Sequence, residues 1–374
     1  MDPLFGEYGL TQLERVVFGA RTVARLGDEI DRLGAARAVV VTGRTLGASA
    51  LLARVTGTLG SRCVHVFTGA RQHVPASAVD ELSAVLESTR ADCLVSFGGG
   101  SPIDAAKAAI HRRLQGSAPG AAALPHVAVP TTLSAGEFTA VAGITDDASR
   151  VKHAFADPRL APRVVLLDPE LSVATPPWLW AASGMRAVDH SVETLYSTYQ
   201  HPVSSSQAAA ALEMLAQHLV PSLDAAALDA RVHCQTAAWM SVQGIAYAGL
   251  GLSHALGHQI GPRWNVAHGV TSCITLPHAM RAIARKRPDL FERIAPALGL
   301  PFESNTTEPA LACADAVSGL VARLGLPSSL SSVGVERDEL ESVAVVVHDV
   351  MSHHPRVGHT VTRAEIAAVL AAAF

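Results

Sequence analysis

Three histidines lie close together in the stretch GLSHALGHQIGPRWNVAHG, which runs from residue 251 to residue 269. His254 and His258 are four residues apart, so on a helix they share one face. His268 follows the segment GPRWN, whose glycine, proline and asparagine favour the end of a helix and a turn. Three imidazoles brought together can form a metal site, a proton-handling site or both. The alternative is a helix whose histidines only form hydrogen bonds in a polar environment.

A glycine run, Gly98-Gly99-Gly100-Ser101, lies between an apolar run and a helical pattern. Glycines let the backbone approach a ligand closely, and the N-terminus of the following helix offers unpaired N–H groups to a phosphate. The spacing differs from the usual G-x-G-x-x-G fingerprint, so a plain turn is the alternative. Further along the helical pattern, Asp104 and Lys107 are three residues apart. They could pair with each other or face a cofactor.

A second polar turn follows the next apolar run. It contains Thr131-Thr132, Ser134, Gly136 and Glu137. In a parallel sheet the two turns fall at the same carboxyl edge, where ligands bind. Together they predict a dinucleotide site.

The elements that must position these turns alternate through the first half of the chain. The predicted strands are Ala38–Thr42, Cys63–Phe67, Cys93–Phe97 and His126–Val129. The predicted helices between them are Leu46–Thr58, Ser77–Ser88 and Pro102–Leu114. Strands that alternate with helices predict a doubly wound, Rossmann-like parallel sheet in a dinucleotide-binding α/β domain of residues 1–170.

The second half of the chain has a different composition and hydrophobic pattern. After Pro176-Pro177 the sequence is rich in alanine and poor in strand-like runs. Its clearest helical segments are Ser204–Leu219, Leu228–Gly249 and Pro309–Leu324. We therefore predict an all-helical catalytic domain over residues 171–374, which contains the three histidines.

Composition excludes several classes of function. The chain has 374 residues, of which 49% are hydrophobic and 17% charged, with a net charge of −4. Without a basic run, nucleic-acid binding is not expected. The five scattered cysteines form no C-x-x-C pair, and no apolar run reaches the length of a membrane span. The first residues lack the apolar core of a signal peptide, so we expect a cytoplasmic protein without a membrane partner.

Five motifs in order resemble the iron-containing alcohol dehydrogenase superfamily. They are GGGSPIDAAK (98–107), VPTT (129–132), DPEL (168–171), SGMRAVDHSVETLY (183–196) and the histidine stretch of 251–269. The resemblance runs from about Val17 to the C-terminus. It implies the dehydroquinate synthase-like fold of that superfamily, with an α/β dinucleotide-binding domain followed by a helical domain. It also implies an NAD(P)-dependent oxidoreductase and a homodimer.

Within the superfamily, the chain most resembles the maleylacetate reductase branch. The segments PTTLSAGEFTAVAGITDD, KHAFADPRLAPRVVLLDPEL and HPRVGHTVTRAEIAAVLAAAF carry this likeness. The His268-Gly269-Val270 segment is more similar to the metal-dependent alcohol dehydrogenases.

The resemblance places the metal-binding histidines of the superfamily at His190, His254 and His268. The aspartate that completes the set in metal-dependent members is replaced by Arg186. A guanidinium does not ligate a cation and repels one nearby. Asp189 is one residue round the helix from His190, about 100° away, and is a poor substitute. Maleylacetate reductases also lack the aspartate and are thought to work without metal, so we predict no catalytic metal. If one binds, the three histidines are its ligands.

Without a metal, hydrogen-bond donors and fixed charge must polarise the substrate. His254, His258 and His268 could supply a proton after hydride transfer, because imidazole titrates near neutral pH. Arg186 has the fork geometry to bind a substrate carboxylate. Alternatively, Arg186 forms a salt bridge with Asp189 or Glu193. The predicted activity is NAD(P)H-dependent reduction of a small carboxylated carbonyl or enone compound similar to maleylacetate.

The cofactor type depends on the turn after the first predicted strand. Many superfamily members carry an aspartate there, which favours NAD, whereas this chain has Thr42, Gly43 and Arg44. Arg44 could accept a 2′-phosphate, so we expect either NADH or NADPH. Lys152 matches a lysine of the family that lies near the nicotinamide ribose, although a surface position is the alternative.

Three other functions stay open. One is a metal-dependent alcohol dehydrogenase that uses iron or zinc, which metal content would reveal. Another is a lyase or cyclase that retains the dinucleotide site, as in the related dehydroquinate synthases. The last is a binding protein without catalysis, which the complete glycine turn disfavours.

Overall fold

The computed structural model describes residues 9–118, 120–149, 151–304, 306–353 and 361–374, and only the backbone of Lys152, Ala246 and Tyr247. The chain divides into two compact units. The N-terminal unit comprises Gly9–Thr175, and the C-terminal unit extends from Pro176 to Phe374.

The N-terminal unit is built on a six-stranded parallel sheet and a two-stranded antiparallel hairpin. The strands are β1 (Arg15–Phe18), β2 (Ala38–Val41), β3 (Cys63–Phe67), β4 (Cys93–Gly98), β5 (His126–Pro130), β6 (Val141–Thr145), β7 (Lys152–Ala156) and β8 (Val164–Leu167). The order in the large sheet is β1-β8-β5-β4-β2-β3, and all of its pairs are parallel. The hairpin of β6 and β7 was not predicted from the sequence.

Helices cover both faces of this sheet. They are α1 (Leu26–Arg32), α2 (Arg44–Gly47), α3 (Ala50–Leu59), α4 (Ala76–Ser88), α5 (Gly100–Gln115) and α6 (Pro169–Ser172). Successive residues of β2 point to opposite faces, and Val39 and Val41 join one hydrophobic cluster while Val40 joins the other. A strand buried on both sides is a continuous apolar run, which is why AVVV was recognisable in the sequence.

The N-terminal unit extends a few residues past the predicted boundary at residue 170. Leu171 is fully buried in one of its two hydrophobic clusters. Thr175 Oγ1 donates a hydrogen bond of 2.7 Å to the carbonyl of Thr131. Asp168 caps α6 by accepting from the backbone N–H of Glu170.

The C-terminal unit is helical throughout its described residues. Its α-helices are α7 (Pro177–Tyr196), α8 (Pro202–His218), α9 (Leu228–Ala248), α10 (Leu252–Trp264), α11 (His268–Lys286), α12 (Ile294–Ala297), α13 (Thr307–Arg323), α14 (Leu340–His353) and α15 (Arg363–Ala373). The predicted fold, a doubly wound parallel sheet followed by helices, is confirmed. None of the helices in the described part of the chain is long and apolar enough to cross a membrane.

Candidate functional site

The glycine run forms the turn from β4 into α5. Gly98 ends the strand with a φ of +143°, a conformation that disfavours residues with a side chain. Gly99 is the N-cap of α5, and a Cβ at this position would lie 3.0 Å from Cγ2 of Thr132. Gly100 and Ser101 form the first turn of the helix. Glycine at positions 98 and 99 therefore lets this turn pack closely against Pro102 and Thr132.

The polar turn after β5 lies against the glycine turn. In the parallel register, Gly98 is opposite Pro130, and the N–H of Thr131 donates to the carbonyl of Gly98 at 2.9 Å. The hydroxyl of Thr132 contacts that of Ser134 at 3.2 Å. The predicted pairing of the two turns at one sheet edge is what the structure shows.

The side chain of Lys107 lies in the interior of the N-terminal unit and does not face a cofactor, which was one of the two possibilities that the sequence left open. Its side chain is fully buried, and Nζ donates to the carbonyls of Gly136 and Val141 and to the hydroxyl of Thr139. These distances are 2.6, 3.0 and 3.0 Å. Lys107 on α5 therefore stabilises the polar turn through these three hydrogen bonds.

Three further residues predicted to bind the cofactor are Gly43, Arg44 and Lys152. Gly43 is the N-cap of α2, and Arg44 is exposed in its first turn. Because β2 is adjacent to β4, this turn lies at the same carboxyl edge as the glycine run. Lys152 begins β7, but its side chain lies outside the described residues.

The four predicted histidines form a row of neighbouring rings in the C-terminal unit. His190 on α7 stacks on His254 of α10 with 5.1 Å between ring centroids. His258 lies edge-on to His254 at 6.4 Å, and His268 at the start of α11 lies 5.6 Å from His258. His190 and His254 are buried, whereas His258 and His268 are exposed. The row therefore leads from the interior of the unit to its surface.

Helix α10 ends near the predicted signals. Pro262 is accommodated in the last turn, and Asn265 takes the left-handed conformation with a φ of 52° at the C-cap. This turn allows His268 to start the next helix beside His258.

Two carboxylates of α7 surround His254. Glu193 Oε2 lies 2.6 Å from His254 Nδ1, and Asp189 Oδ1 lies 3.4 Å from the same nitrogen. All three side chains are fully buried or nearly so. Both ring nitrogens of His254, and Nδ1 of His190, have no hydrogen-bond partner among the described residues, so the contact of His254 with Glu193 is close in distance but lacks hydrogen-bond geometry.

The charges around His254 oppose the effect of its burial. Burial and Arg186 lower the pKa of His254, but Asp189 and Glu193 outweigh them and hold it above its usual value. Burial would raise the pKa of Asp189, but His254 and Arg186 hold it below its usual range. Burial and the neighbouring His254 push the pKa of His190 well below its usual value. His190 is therefore neutral at physiological pH, while the protonated form of His254 is favoured.

Arg186 is the most exposed member of this cluster, with 12% of its side chain accessible. Its Nη1 donates to Ser272 Oγ at 3.3 Å and lies 3.8 Å from Asp189 Oδ2. Burial lowers its pKa, and the charges of Asp189 and Glu193 offset part of that effect. In the described part of the chain, the guanidinium has no other polar partner. Several of its five N–H donors remain for a ligand.

The buried ion-pair cluster also contains one possible set of metal ligands. Among the described residues, Asp189, Glu193 and His254 form the one group of three whose ligand atoms all lie within 4.8 Å. His190, His254 and His268 do not form such a group. Two ligands of one tetrahedral cation stand about 3.4 Å apart, whereas Glu193 and His254 approach to 2.6 Å, a hydrogen-bond distance.

Three of the four carboxylate oxygens of this group accept hydrogen bonds, whereas Asp189 Oδ1 has no hydrogen-bond partner among the described residues. Glu193 accepts from the backbone N–H groups of Gly251 and Ser253. Asp189 Oδ2 accepts from the hydroxyls of Ser253 and Ser272. Arg186 adds a positive charge beside Asp189, which a divalent cation would have to overcome.

From the sequence, Asp189 and Glu193 were considered as partners of Arg186, and Asp189 also as a poor substitute for the missing metal ligand. Their contacts with His254 join positions about 60 residues apart in the chain. The available signal was their spacing, because two acids four residues apart share one helix face. That signal does not reveal which helix packs against the face.

Comparisons with known proteins cover almost the whole chain. The family described as iron-containing alcohol dehydrogenase matches residues 14–169, and its C-terminal counterpart, the Fe-containing alcohol dehydrogenase family, matches residues 180–374. The chain belongs to the iron-containing alcohol dehydrogenase family. Members of this family use NAD(P)H, and the prediction of an oxidoreductase is confirmed.

Relatives within the family include maleylacetate reductases. The maleylacetate reductase of Burkholderia cepacia is 34% identical, over 89% of this chain and 88% of that protein. The lactaldehyde reductase of Escherichia coli K12 is 31% identical, over 90% of this chain and 92% of that protein.

Solved structures of the same family have the same fold. A putative alcohol dehydrogenase from Ralstonia eutropha JMP134 is 32% identical, with a TM-score of 0.87 and coverage of 100% of this chain and 98% of that one. The maleylacetate reductase of Agrobacterium tumefaciens is 28% identical, with a TM-score of 0.85 and coverage of 100% and 99%.

Proposed function

We propose that this protein reduces a small carboxylated carbonyl or enone compound, similar to maleylacetate, with NADH or NADPH and without a metal ion. The observation that carries the proposal is Arg186, a largely buried guanidinium with free donors beside the histidine row. A buried cation of this kind stabilises an anion that reaches it, and a carboxylate matches its fork. Maleylacetate reductases among the relatives support the same substrate class.

The dinucleotide binds at the carboxyl edge of the sheet in this proposal. Gly98, Gly99 and Gly100 with the N-terminus of α5 hold the phosphates, and Thr131, Thr132 and Ser134 border them. When bound, the cofactor supplies a hydride. Arg44 beside Gly43 favours tolerance of the 2′-phosphate of NADPH.

The chain's own residues handle charge and protons. Arg186 orients the substrate through a carboxylate. His254 donates the proton that balances the hydride, and neutral His190 packs against its ring. The exposed His258 and His268 return a proton from solvent.

The test combines metal analysis with a substrate comparison. Protein purified without chelator is analysed for metal, before and after incubation with zinc and ferrous iron, and assayed with NADH and NADPH. We expect less than stoichiometric metal, activity that survives chelation, and a preference for maleylacetate over an uncharged aldehyde such as lactaldehyde.

Other outcomes of these assays would favour one of the alternative functions. One metal per chain with activity lost on chelation would overturn the metal-free proposal and favour an alcohol dehydrogenase. Tight dinucleotide binding without turnover of any carbonyl would favour a lyase or cyclase. The proposal also includes a homodimer in the cytoplasm, which light scattering and cell fractionation would test.

A further inference from the structure

Glu193 of α7 makes two hydrogen bonds with the N-terminus of a different helix, α10. Its Oε2 accepts from the N–H of Gly251 at 2.6 Å, and its Oε1 accepts from the N–H of Ser253 at 2.7 Å. These residues are the N-cap and the second residue of α10. The first N–H groups of a helix lack partners within it, and a glycine N-cap has no side chain to supply one. Glu193 therefore caps α10 from outside.

Gly251 is required for this contact. A Cβ at position 251 would lie 2.6 Å from both the Cδ and the Oε1 atoms of Glu193. Atoms that are not bonded to each other do not approach this closely, so any side chain at this position would displace the carboxylate. The cap therefore requires both the carboxylate of Glu193 and the absence of a side chain at Gly251.

The same carboxylate lies close to the imidazole ring of His254. Nδ1 of His254 lies 2.6 Å from Glu193 Oε2, and Asp189 lies on the same side of the ring. Asp189 is held in turn by the hydroxyls of Ser253 and Ser272, at 2.9 and 2.6 Å. Neither Nδ1 nor Nε2 has a hydrogen-bond partner among the described residues, so Glu193 holds the ring by the distance of an ion pair. The group that holds one imidazole nitrogen decides the proton position and the direction of the other.

We propose that Glu193 is a positioning residue that caps α10 and, through its ion-pair contact with Nδ1, fixes the orientation of the His254 ring. Asp189 contributes to this positioning, because its Oδ1 contacts the same nitrogen of the ring at 3.4 Å. This inference rests on the proposed function, because it assigns His254 a part in the reaction. If the contacts of Glu193 were purely structural, replacing it would lower the stability of the protein but would not lower kcat in the folded protein.

The kinetic test uses two variants that disturb the contact differently. Glu193→Gln places an amide donor where the carboxylate accepted, and Gly251→Ala displaces the carboxylate without removing its charge. We expect both to lower kcat with maleylacetate by about 10- to 100-fold, with KM for the dinucleotide within about twofold of wild type. Glu29→Gln is the matched control. Glu29 is a buried glutamate of the N-terminal unit that pairs with Arg32, so this change should reduce stability and leave kcat unchanged.

Two measurements on the resting protein need no activity. In wild-type protein with ¹⁵N-labelled histidine, we expect Nδ1 of His254 to carry a proton. In hydrogen exchange, we expect the amides of Gly251 and Ser253 to be protected, and to exchange at least about tenfold faster in folded Glu193→Gln protein. A deprotonated Nδ1, or unprotected amides in the wild type, would overturn the inference even if the variants fail to fold.

The two proposals fail in distinguishable ways. Protected amides and a protonated Nδ1 in a protein that reduces no carboxylated carbonyl would refute the proposed function and leave the cap in place. Full reductase activity in Glu193→Gln and Gly251→Ala would refute the positioning role alone.

Discussion

Arg186 places a fixed positive charge among two buried carboxylates and an imidazole. Arg186 lies 3.8 Å from Asp189, and His254 lies 3.4 Å from Asp189 and 2.6 Å from Glu193. Buried charges are tolerated when they are paired and hydrogen-bonded, so the four groups depend on one another. An incoming substrate carboxylate would bind to Arg186 at the accessible side of this cluster.

Replacing Arg186 by methionine tests its role in substrate binding. We expect kcat/KM for maleylacetate to fall by roughly 30- to 150-fold, corresponding to about 2–3 kcal/mol of charge-assisted hydrogen bonding. Arg186→Lys keeps the charge but loses the fork, so a smaller loss is expected. Steady-state kinetics with maleylacetate and an uncharged aldehyde provide the comparison. An equal loss with both substrates would mean that Arg186 only holds the helix.

Glu137 is a buried acid whose Oε2 has no hydrogen-bond partner among the described residues. Burial raises its pKa from 4.5 to about 7, although the nearby Lys107 opposes the change. The folded protein therefore binds this proton more tightly than the unfolded chain does. The contribution to stability is complete below pH 4.5 and is lost as the pH rises to about 7, by roughly 3 kcal/mol.

Glu137→Gln should therefore change the pH dependence of stability. At pH 5 the variant and the wild type should melt at similar temperatures, because both side chains are neutral. At pH 8 the variant should melt several degrees higher, which calorimetry of the protein without ligand would measure. Glu87→Gln, which alters an exposed acid of the same unit, is the control. A difference in melting temperature that is the same at both pH values would contradict this assignment.

At the scale of elements, the position of the histidine row depends on close contact between α7 and α11. Gly269 follows His268 in the first turn of α11, and a Cβ there would overlap the backbone carbonyl of Ala182 on α7. Backbone atoms of two helices have little freedom to separate within a packed unit. The glycine therefore sets how closely the helix of His268 approaches the helix of His190.

Gly269→Ala should destabilise the C-terminal unit by about 3 kcal/mol or more, because it forces the two helices apart. Gly319→Ala is the matched control in α13, where a Cβ would meet nothing within 4 Å. That change should stabilise by about 0.5–1 kcal/mol, since alanine favours the helix. Thermal unfolding of both variants tests the contrast. Similar shifts of the melting temperature for both would refute the close-contact argument.

At the scale of the whole molecule, the chain is organised as two compact units. The N-terminal unit buries both faces of its sheet, and its last described contacts involve Leu171 and Thr175. The predicted domain boundary at residue 170 would divide this packing. We therefore propose a boundary at Thr175 and Pro176.

Two fragments test this boundary. Fragment 9–175 should fold and gain thermal stability with NAD(P)H, by about 2.7 kcal/mol at a ligand concentration of 100 times Kd. Fragment 9–170 lacks Leu171, whose burial contributes about 2–3 kcal/mol, and should melt at a lower temperature. Calorimetry of the two fragments with and without dinucleotide gives the comparison. Equal melting temperatures would place the boundary at residue 170.

The sequence alone determined the elements whose signals are local. Cys63–Phe67 is an apolar run bounded by turns, and the structure has a strand with those bounds. The glycine run at 98–100 specified a strand-to-helix turn, because few other residues tolerate its conformation and its close contacts. The four-residue spacing of His254 and His258 placed both on one helix. Each of these signals lies within about five consecutive residues of the chain.

Only the tertiary structure decided which side chains meet. Lys107 reaches the carbonyls of Gly136 and Val141, and Glu193 reaches the N–H groups of Gly251 and Ser253. These contacts join residues 29 to 60 positions apart. Hydrophobic periodicity states that a helix face is buried but not which helix covers it, because burial of apolar area is non-directional. The partner of a buried charge is therefore selected by packing, which no local pattern records.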